Sequence, residues 1–219
     1  MSFPPSVLEQ ASDRKLGEPV RAFDARVGLQ RVMTYLSVRR GGSSIRRGGY
    51  RSIYLFTGGL VLDEGGGRRS AYLWDDLVSV TVSGVRHADR KRTSYRFTVT
   101  AADGGQIRLG DELPDARELG ENVTTEVAQR VLPGYVERIE AGENVRVGPF
   151  EVGQDGIRRE DELVPWPAVD EVDIDNGMVV VRTHDGVQSL SAIASQVPNA
   201  VALIKLCQGL SDEDAVTPY

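Results

Sequence analysis

The chain has 219 residues, of which 40% are hydrophobic and 26% are charged, and its formal net charge is −6. This composition is typical of a soluble globular protein, and no run of residues approaches the roughly 18 apolar residues of a membrane span. The N-terminal residues lack the basic and apolar regions of a secretory signal. Cys207 is the only cysteine, which excludes an intrachain disulfide, so we expect a cytoplasmic protein.

The charge is unevenly distributed along the chain. Residues 1–57 carry ten Arg or Lys and four Asp or Glu, residues 58–140 carry eleven against fourteen, and residues 141–219 carry five against fourteen. The basic segment could meet an anionic surface such as lipid headgroups, or the acidic C-terminal half of this chain or of a neighbouring copy. Nucleic-acid binding is not expected, because the pI is acidic and basic residues are not interleaved with aromatic ones.

The first elements in chain order are a loose arm and a strand. Residues 1–15 are polar and contain proline, which predicts a flexible arm with one helical turn. A strand follows between Gly17 and Arg26, with Val20 and Phe23 expected to point inward. Residues 27–38 fit either a short helix or an edge strand, and residues 39–49 are a Gly, Ser and Arg loop that cannot bury a side chain.

Short alternating strands occupy residues 52–109 and predict an antiparallel sandwich or barrel. In one of these strands Val78, Val80 and Val82 are expected to lie on the buried face. A helix then closes this part of the chain. Asp115 is the predicted N-cap, with Glu118 three residues later as in a capping box, and Pro133-Gly134 is expected to break the helix. Residues 135–141 could add one or two turns.

A second series of strands and a second helix follow. Asp175-Asn176-Gly177 predicts a type I′ hairpin turn, because Asn and Gly tolerate positive φ. Residues 178–181 predict a strand buried on both faces. A closing helix is expected from Gln196 to Leu210, followed by a frayed acidic tail over residues 211–219.

These two series have parallel sequence features. Gly58-Gly59 and Gly156 precede the tryptophans, and Trp74 and Trp166 each lie just before an apolar pair that begins an alternating strand. Asp103-Gly104 and Asp185-Gly186 then mark a turn before each helix. This internal repeat predicts two structural units of the same architecture. Trp74 and Trp166 are expected to be core residues.

The phrases Tyr54–Val61, Leu73–Val80 and the Asp-Gly hairpin resemble tandem pleckstrin-homology-like (PH-like, GRAM-like) domains. The chain is similar to an uncharacterised actinobacterial family with two such units and a Leu-Pro-Gly link, here residues 132–134. The resemblance implies a mainly β fold of two partly open barrels or sandwiches, each closed by a C-terminal helix. The implied domains are residues 16–141, with an Arg- and Gly-rich insertion at 27–50, and residues 142–210.

Family members often carry apolar membrane segments where residues 27–49 lie, but this stretch is too short and too charged to span a bilayer. PH domains bind phosphoinositides through the loop that corresponds to residues 27–49. The resemblance therefore implies that this loop contacts an anion, a lipid or a partner protein. A solvated loop is the alternative. The candidate residues are Arg39, Arg40, Arg46, Arg47 and Arg51.

A second basic cluster lies in an insertion that the second unit lacks. Its candidates for an anion or acidic partner are Arg86, Arg90, Lys91 and Arg92, although a charged hairpin tip is the commoner arrangement. No metal-ligand spacing, phosphate loop or catalytic triad is present in the sequence, so no metal, cofactor or enzymatic activity is expected. We expect a binding or scaffolding protein that docks a protein partner. The alternative is peripheral binding to anionic lipid at the inner face of the membrane through the Arg-rich loop, and a homo-oligomer is left open.

Overall fold

The computed structural model describes residues 3–24, 50, 52–87, 92–110, 113, 115–186 and 188–216. These residues form a mainly β fold of four antiparallel sheets with three α-helices, and none of the sheets they form closes into a barrel. The helices are α1 (Pro5–Asp13), α2 (Ala116–Glu140) and α3 (Ala200–Val216). The strands are β1 (Pro19–Asp24), β2 (Ser52–Phe56), β3 (Gly59–Gly65), β4 (Arg68–Leu73), β5 (Leu77–His87), β6 (Arg92–Ala101), β7 (Gln106–Leu109), β8 (Val145–Val147), β9 (Phe150–Gly153), β10 (Gly156–Arg159), β11 (Glu162–Pro165), β12 (Val169–Asp175), β13 (Met178–Thr183) and β14 (Gln188–Ile193).

The same order of elements occurs twice along the chain. Four strands form one sheet, a 3₁₀ turn follows, three strands form a second sheet, and a long helix ends the series. We call β1–β7 with α2 the first repeat and β8–β14 with α3 the second repeat. The 3₁₀ turns are Trp74–Asp76 and Trp166–Ala168, so each tryptophan begins the turn that separates two sheets.

Residue contacts divide the chain into two compact units. The first unit comprises Met1–Trp74 with Leu109–Leu119, and the second comprises Asp75–Arg108 with Gly120–Tyr219. This division does not follow the repeats, because β5 and β6 of the first repeat belong to the same unit as the whole second repeat. The domain boundaries expected from the sequence stay a prediction.

The N-terminal residues of the first unit form a helix with buried side chains. Val7 and Ala11 of α1 are four residues apart on one face and are almost fully buried, in a cluster with Tyr54 and Phe56. The ring of Phe3 lies 5.4 Å from both of these aromatic rings, measured between centroids. The sequence predicted a loose arm with one turn. That prediction is wrong for residues 5–13, because apolar burial orders them.

One of the two residues of β1 that were expected to point inward is exposed. Phe23 is buried as predicted, but Val20 is 60% exposed. The pairing register of β1 with β2 shifts between Pro19 and Arg21. This irregularity places Val20 outside the regular ladder, and the side chains beyond it therefore face the opposite way from a continuous strand.

The start of α2 is not the predicted capping box. Asp115 has a φ of +53°, in the left-handed region, whereas an N-cap residue has extended backbone. Its carbonyl still accepts the first helical bond, from the Leu119 N–H at 2.9 Å. The Glu118 carboxylate pairs with the Arg21 guanidinium instead of turning back to the helix N-terminus.

Helix α2 continues through Pro133, so the predicted break is also wrong. A proline within a helix removes one backbone hydrogen bond and costs about 3 kcal/mol. Here Leu132, Tyr135 and Val136 on either side of the proline pack against the core of the second unit. Tertiary packing therefore holds the helix together where local preference would end it.

The core of the second unit is built largely from the second repeat, with Trp166, Phe150 and the closing helix at its centre. The Asn176-Gly177 turn has φ values of +48° and +80°, as predicted for a type I′ hairpin. The closing helix begins at Ala200 and not at Gln196, because Ala194–Gln196 form a 3₁₀ turn. It continues to Val216, into the segment predicted to be a frayed tail.

Substitution by alanine is expected to have opposite effects on the free energy of unfolding at two glycines of α2. A Cβ at Gly134 would meet no atom within 4 Å, so Gly134→Ala should raise the free energy of unfolding by ~1 kcal/mol through helix propensity. A Cβ at Gly120 would overlap the ring of Phe97, which is 4% exposed. Because overpacking costs roughly 1–3 kcal/mol, Gly120→Ala should lower the free energy of unfolding. Urea titration of both variants measures the sign, and equal stabilisation would contradict the packing described.

Candidate functional site

The two tryptophans occupy equivalent positions in the two repeats. The Trp74 indole Nε1 donates to the Phe56 carbonyl at 3.2 Å, and the Trp166 Nε1 donates to the Gly153 carbonyl at 3.0 Å. Each acceptor residue pairs with the glycine that begins the next strand, Gly59 or Gly156. Both indole rings are 2% exposed. Each tryptophan therefore ties the end of its four-stranded sheet to the 3₁₀ turn that follows.

The glycines beside the tryptophans are required by close backbone approach. A Cβ at Gly59 would overlap the Tyr72 carbonyl oxygen, and one at Gly156 would overlap the Val164 carbonyl oxygen. Each of these carbonyls belongs to the neighbouring strand of the same sheet, two residues before the tryptophan. The Gly-to-Trp spacing of the sequence thus reflects one packing arrangement used twice.

The strands after the tryptophans also match. The register of β5 shifts between Leu77 and Ser79, and that of β12 shifts between Val169 and Glu171. This shared bulge corrects the predicted alternation, because Val78 lies at it and is 42% exposed instead of buried. By this equivalence Val80 of β5 corresponds to Val172 of β12.

A further repeated motif was not among the features predicted from the sequence. Leu113-Pro114-Asp115-Ala116 precedes α2 and Val197-Pro198-Asn199-Ala200 precedes α3. Asp115 and Asn199 both have left-handed backbone, with φ of +53° and +55°, and both carbonyls accept the first bond of a helix. The signal was available, because a Pro followed by Asp or Asn at a helix start recurs at the same place in each repeat.

Asn199 is only 4% exposed, and its backbone and side chain are hydrogen-bonded to other parts of the chain. Its backbone N–H donates to the Val80 carbonyl at 2.8 Å, and its Oδ1 accepts from the Val80 N–H at 2.9 Å. Its Nδ2 donates to the Val78 carbonyl at 2.9 Å and to the Tyr135 hydroxyl at 3.1 Å. Asn199 therefore satisfies both backbone groups of Val80 in the way that a neighbouring strand would.

This contact fills a sheet edge. β5 is the outer strand of its sheet, and an outer strand presents unpaired N–H and C=O groups. Residues 194–199, which precede α3, pack along β5 and cover that edge. The chain thus contains an example of a short segment docked onto a strand edge, and both partners lie in the second unit.

The corresponding strand of the second repeat is covered differently. β12 is the outer strand of the β12–β14 sheet, α3 packs against it, and Val172, the counterpart of Val80, is only 2% exposed. The exposed residues of this strand are Asp170, Glu171, Asp173, Ile174 and Asp175. The exposed residues of β12 are therefore mostly acidic, since four of these five are Asp or Glu.

An arginine and a histidine contact the carboxylates of β12. The Arg182 guanidinium contacts Glu171 at 3.1 Å and Asp175 at 3.0 Å, and the His184 imidazole Nδ1 lies 3.3 Å from Asp170. The Asp173 carboxylate has no hydrogen bond or ion pair with any residue that the structure describes. β12 therefore keeps an excess of negative charge after these pairs are formed.

A polar cleft of about 380 Å³ lies between the β10–β11 turn and β14. It is lined by residues 159–162 and 189–191, three of which are acidic and two of which are serines. The Arg159 Nε is buried without a hydrogen-bond partner, while its Nη2 lies 3.6 Å from Glu160. These lining residues include no histidine or cysteine, the groups that exchange protons most readily near neutral pH.

Most of the basic residues predicted as contacts lie outside the described residues. These are Arg39, Arg40, Arg46, Arg47, Arg51, Arg90 and Lys91. For Arg86 and Arg92 only the backbone is described: Arg86 is in β5 and Arg92 is in β6, where they pair with Thr93 and His87. The structure therefore does not show these side chains together, and their role stays a prediction.

Cys207 lies in α3 and is fully buried, and burial raises the pKa of its thiol to about 12. The thiol is therefore protonated at neutral pH and is a poor nucleophile. Among the described residues, no group of three or more His, Cys, Asp or Glu is placed to hold a metal ion. Within the same residues, no helix is both long and apolar enough to cross a membrane.

Of the comparisons with known proteins, one finds a match for this chain. No curated protein and no solved structure matches this chain. One family model, described as a family of unknown function (DUF6585), matches residues 43–215. That range runs from before β2 into α3 and so contains both tryptophans, both bulges and the β12 edge. The chain therefore belongs to this family of unknown function.

Proposed function

We propose that this protein is a non-enzymatic docking protein, in which tandem PH-like repeats bind a protein partner along a sheet edge. The order of four strands, three strands and a closing helix, found twice, supports a PH-like assignment of each repeat. The observation that carries the docking role is the Asn199 contact with both backbone groups of Val80. It is a segment-on-strand contact of the kind proposed for the partner.

Docking of this kind divides affinity and specificity between two sets of atoms. Main-chain hydrogen bonds to an edge strand supply affinity for any extended segment, whereas alternate side chains select among segments. At β5 the groups on the strand are the backbone N–H and C=O of Val80. The side-chain amide of Asn199 accepts from this N–H, and the backbone N–H of Asn199 donates to this C=O. A partner protein needs only an extended or turn segment to use an edge in the same way.

The peripheral-membrane alternative places the contact in the Arg-rich loop at residues 27–50. Attraction of Arg side chains to anionic lipid weakens as the salt concentration rises, because the charges are screened. Hydrogen bonding at a strand edge depends less on salt. Salt dependence with a lipid probe therefore separates the two functions.

The test uses the full-length chain against a displayed library of random linear 12-residue peptides, with a carrier protein as the selection control. Selected peptides are synthesised and titrated by calorimetry, and vesicles with and without phosphatidylglycerol are sedimented with the protein at low and high salt. We expect saturable one-to-one peptide binding and no vesicle binding. Failure to select any peptide, together with salt-sensitive binding to the anionic vesicles alone, would overturn the docking role.

A further inference from the structure

We infer that the outer face of the β5–β7 sheet binds an acidic, extended segment of a partner protein. This contact lies on the face of a sheet and goes beyond the strand-edge contact proposed above. The outer face is the side of the sheet opposite to its buried side chains. The residues on it that would meet the segment are Ser79, Thr81, Thr98, Thr100, Arg96 and Arg108.

Alternation along β5 and β6 places four hydroxyl groups on the outer face. Val80 and Val99 are paired across the two strands, and both side chains are buried. Successive side chains of a strand point to opposite faces, so the pairs on either side of these valines point outward. Those outward pairs are Ser79 with Thr100 and Thr81 with Thr98, and all four residues are partly exposed. Their hydroxyl groups make no hydrogen bond with any residue that the structure describes.

Two exposed arginines lie on the same face as these hydroxyl groups. In β6, Arg96 follows the alternation of the hydroxyl residues, and in β7 the exposed Arg108 lies between two buried residues. The Ala101 N–H donates to the Gly105 carbonyl, and continuing this pairing places Arg108 opposite Thr98. Arg96 and Arg108 are therefore diagonal neighbours on adjacent strands, with their Cα atoms about 7–8 Å apart.

The positive charge of the outer face is not neutralised by the described part of the chain. There the Arg96 guanidinium has no hydrogen bond or ion pair, and the Arg108 guanidinium bonds only to the neutral Gln106 amide, at 3.3 Å. Strands β5, β6 and β7 contain no Asp or Glu. Residues 77–109 carry six Arg or Lys and two Asp or Glu, whereas the whole chain has a net charge of −6. This sheet is therefore a basic region of an acidic protein.

The second repeat shows that the fold does not require this composition. By the equivalence of the two bulges, Ser79 and Thr81 correspond to Glu171 and Asp173. The buried residue between the members of each pair is valine in both repeats, whereas the outward residues change from hydroxyl groups to carboxylates. The same packing thus carries outer faces of different charge, so the basic face of the first repeat has a cause other than folding.

The spacing and charge of the outer face fit an acidic extended segment. Carboxylates at every second residue of an extended chain are about 6.4–6.8 Å apart, close to the separation of Arg96 and Arg108. The hydroxyl groups beside the arginines both donate and accept hydrogen bonds, which suits the polar groups of a peptide. The described side chains of this face include no aromatic ring for a nucleic-acid base to stack on and no apolar group to enter a bilayer. A protein segment is therefore the occupant that fits best.

The test titrates the full-length protein with a fluorescein-labelled nine-residue peptide of alternating Glu and Thr, followed by anisotropy. The two control peptides are a block sequence of the same composition and an alternating sequence of Lys and Thr. We expect saturable binding by the alternating acidic peptide, at least about fivefold weaker binding by the block peptide, and no binding by the basic peptide. Equal binding by the two acidic peptides, or no binding by either, would overturn the inference.

Two matched arginine variants locate the site. Arg96→Glu should weaken binding of the alternating acidic peptide by about tenfold, because an attractive contact becomes a repulsive one. Arg158→Glu makes the same charge change at another exposed strand residue, in β10, and should alter the affinity less than about twofold. Equal losses would mean non-specific attraction and would overturn the site.

A double variant tests the hydroxyl groups separately from the charge. Thr81→Val combined with Thr98→Val keeps the shape and the strand preference of both side chains but removes two hydrogen-bonding groups from the outer face. It should weaken the peptide by about threefold or more. An unchanged affinity would contradict the part of the inference that gives these hydroxyl groups a role.

Further measurements on Arg96→Glu identify other occupants. Loss of binding to phosphatidylglycerol vesicles or to single-stranded oligothymidylate in this variant would assign the face to that anion and overturn a protein segment as its occupant. Dissociation of a wild-type dimer by the same variant, measured by sedimentation, would assign the face to a second copy. The strand-edge function fails separately: if library peptides bind wild type and Arg96→Glu equally, docking at an edge stands, and the titration with the acidic peptide alone decides the outer face.

Discussion

Replacing Asn199 with alanine is expected to lower the free energy of unfolding by about 4 kcal/mol. The buried Val80 N–H and the partly buried Val78 carbonyl lose their side-chain partners, and each unsatisfied group costs about 1–3 kcal/mol. Alanine must also adopt the left-handed φ of +55°, which costs roughly 1 kcal/mol more. Urea titration followed by tryptophan fluorescence measures the change.

Two substitutions separate the contributions to this loss. Asn199→Gly removes the same hydrogen bonds but tolerates positive φ, so it should be about 1 kcal/mol less destabilising than Asn199→Ala. Asp115→Ala is the matched control, because Asp115 has the same backbone conformation at the equivalent place and is exposed. Asp115→Ala should lower the free energy of unfolding only by the cost of left-handed backbone for alanine, about 1 kcal/mol. A similar loss for Asp115→Ala and Asn199→Ala would contradict the role given to the amide.

Gly156→Ala is expected to be as damaging, by about 4 kcal/mol, for a steric reason. The new Cβ would overlap the Val164 carbonyl and lie 2.8 Å from the Pro165 Cα, and both atoms belong to the backbone of β11. Overpacking of this kind costs roughly 1–3 kcal/mol, and the φ of +153° adds about 1 kcal/mol for a residue with a Cβ. The free energy of unfolding from urea titration gives the result.

The matched control for this substitution is Gly177→Ala. Gly177 also has positive φ, at +80°, but a Cβ there would meet no atom within 4 Å. Its alanine variant should therefore lose only the conformational term of about 1 kcal/mol. If Gly156→Ala is no worse than Gly177→Ala, the close approach of β10 and β11 beside Trp166 is not as described.

Features that depend on neighbouring residues were predicted well. The Asn176-Gly177 turn follows from the φ preferences of two residues, and the buried strand at Met178–Val181 follows from a short apolar run. The mainly β class followed from short alternating strands with regular turns. Val20 and Val78 were wrongly expected to be buried, and both lie at register shifts, which involve the partner strand and are not visible in one strand alone.

The candidate site could be predicted only in part. The Arg residues chosen from the sequence lie mostly outside the described residues, whereas the contact of Asn199 with β5 was not predicted, because it joins residues that are distant in the sequence. The Pro-Asp and Pro-Asn phrases were available as a repeated signal. Asp115 is exposed, whereas Asn199 is buried against β5, and this difference could not be deduced from the sequence.

The duplicated order of elements is encoded in the sequence, since the spacing between glycine, tryptophan and turn residues is a property of the chain. Whether the edge of a strand is covered depends on tertiary packing. Asn199 and Val80 are 119 residues apart, and their hydrogen bond exists because packing brings a left-handed asparagine to the bulge of β5. No local preference encodes a contact between residues so far apart in the sequence.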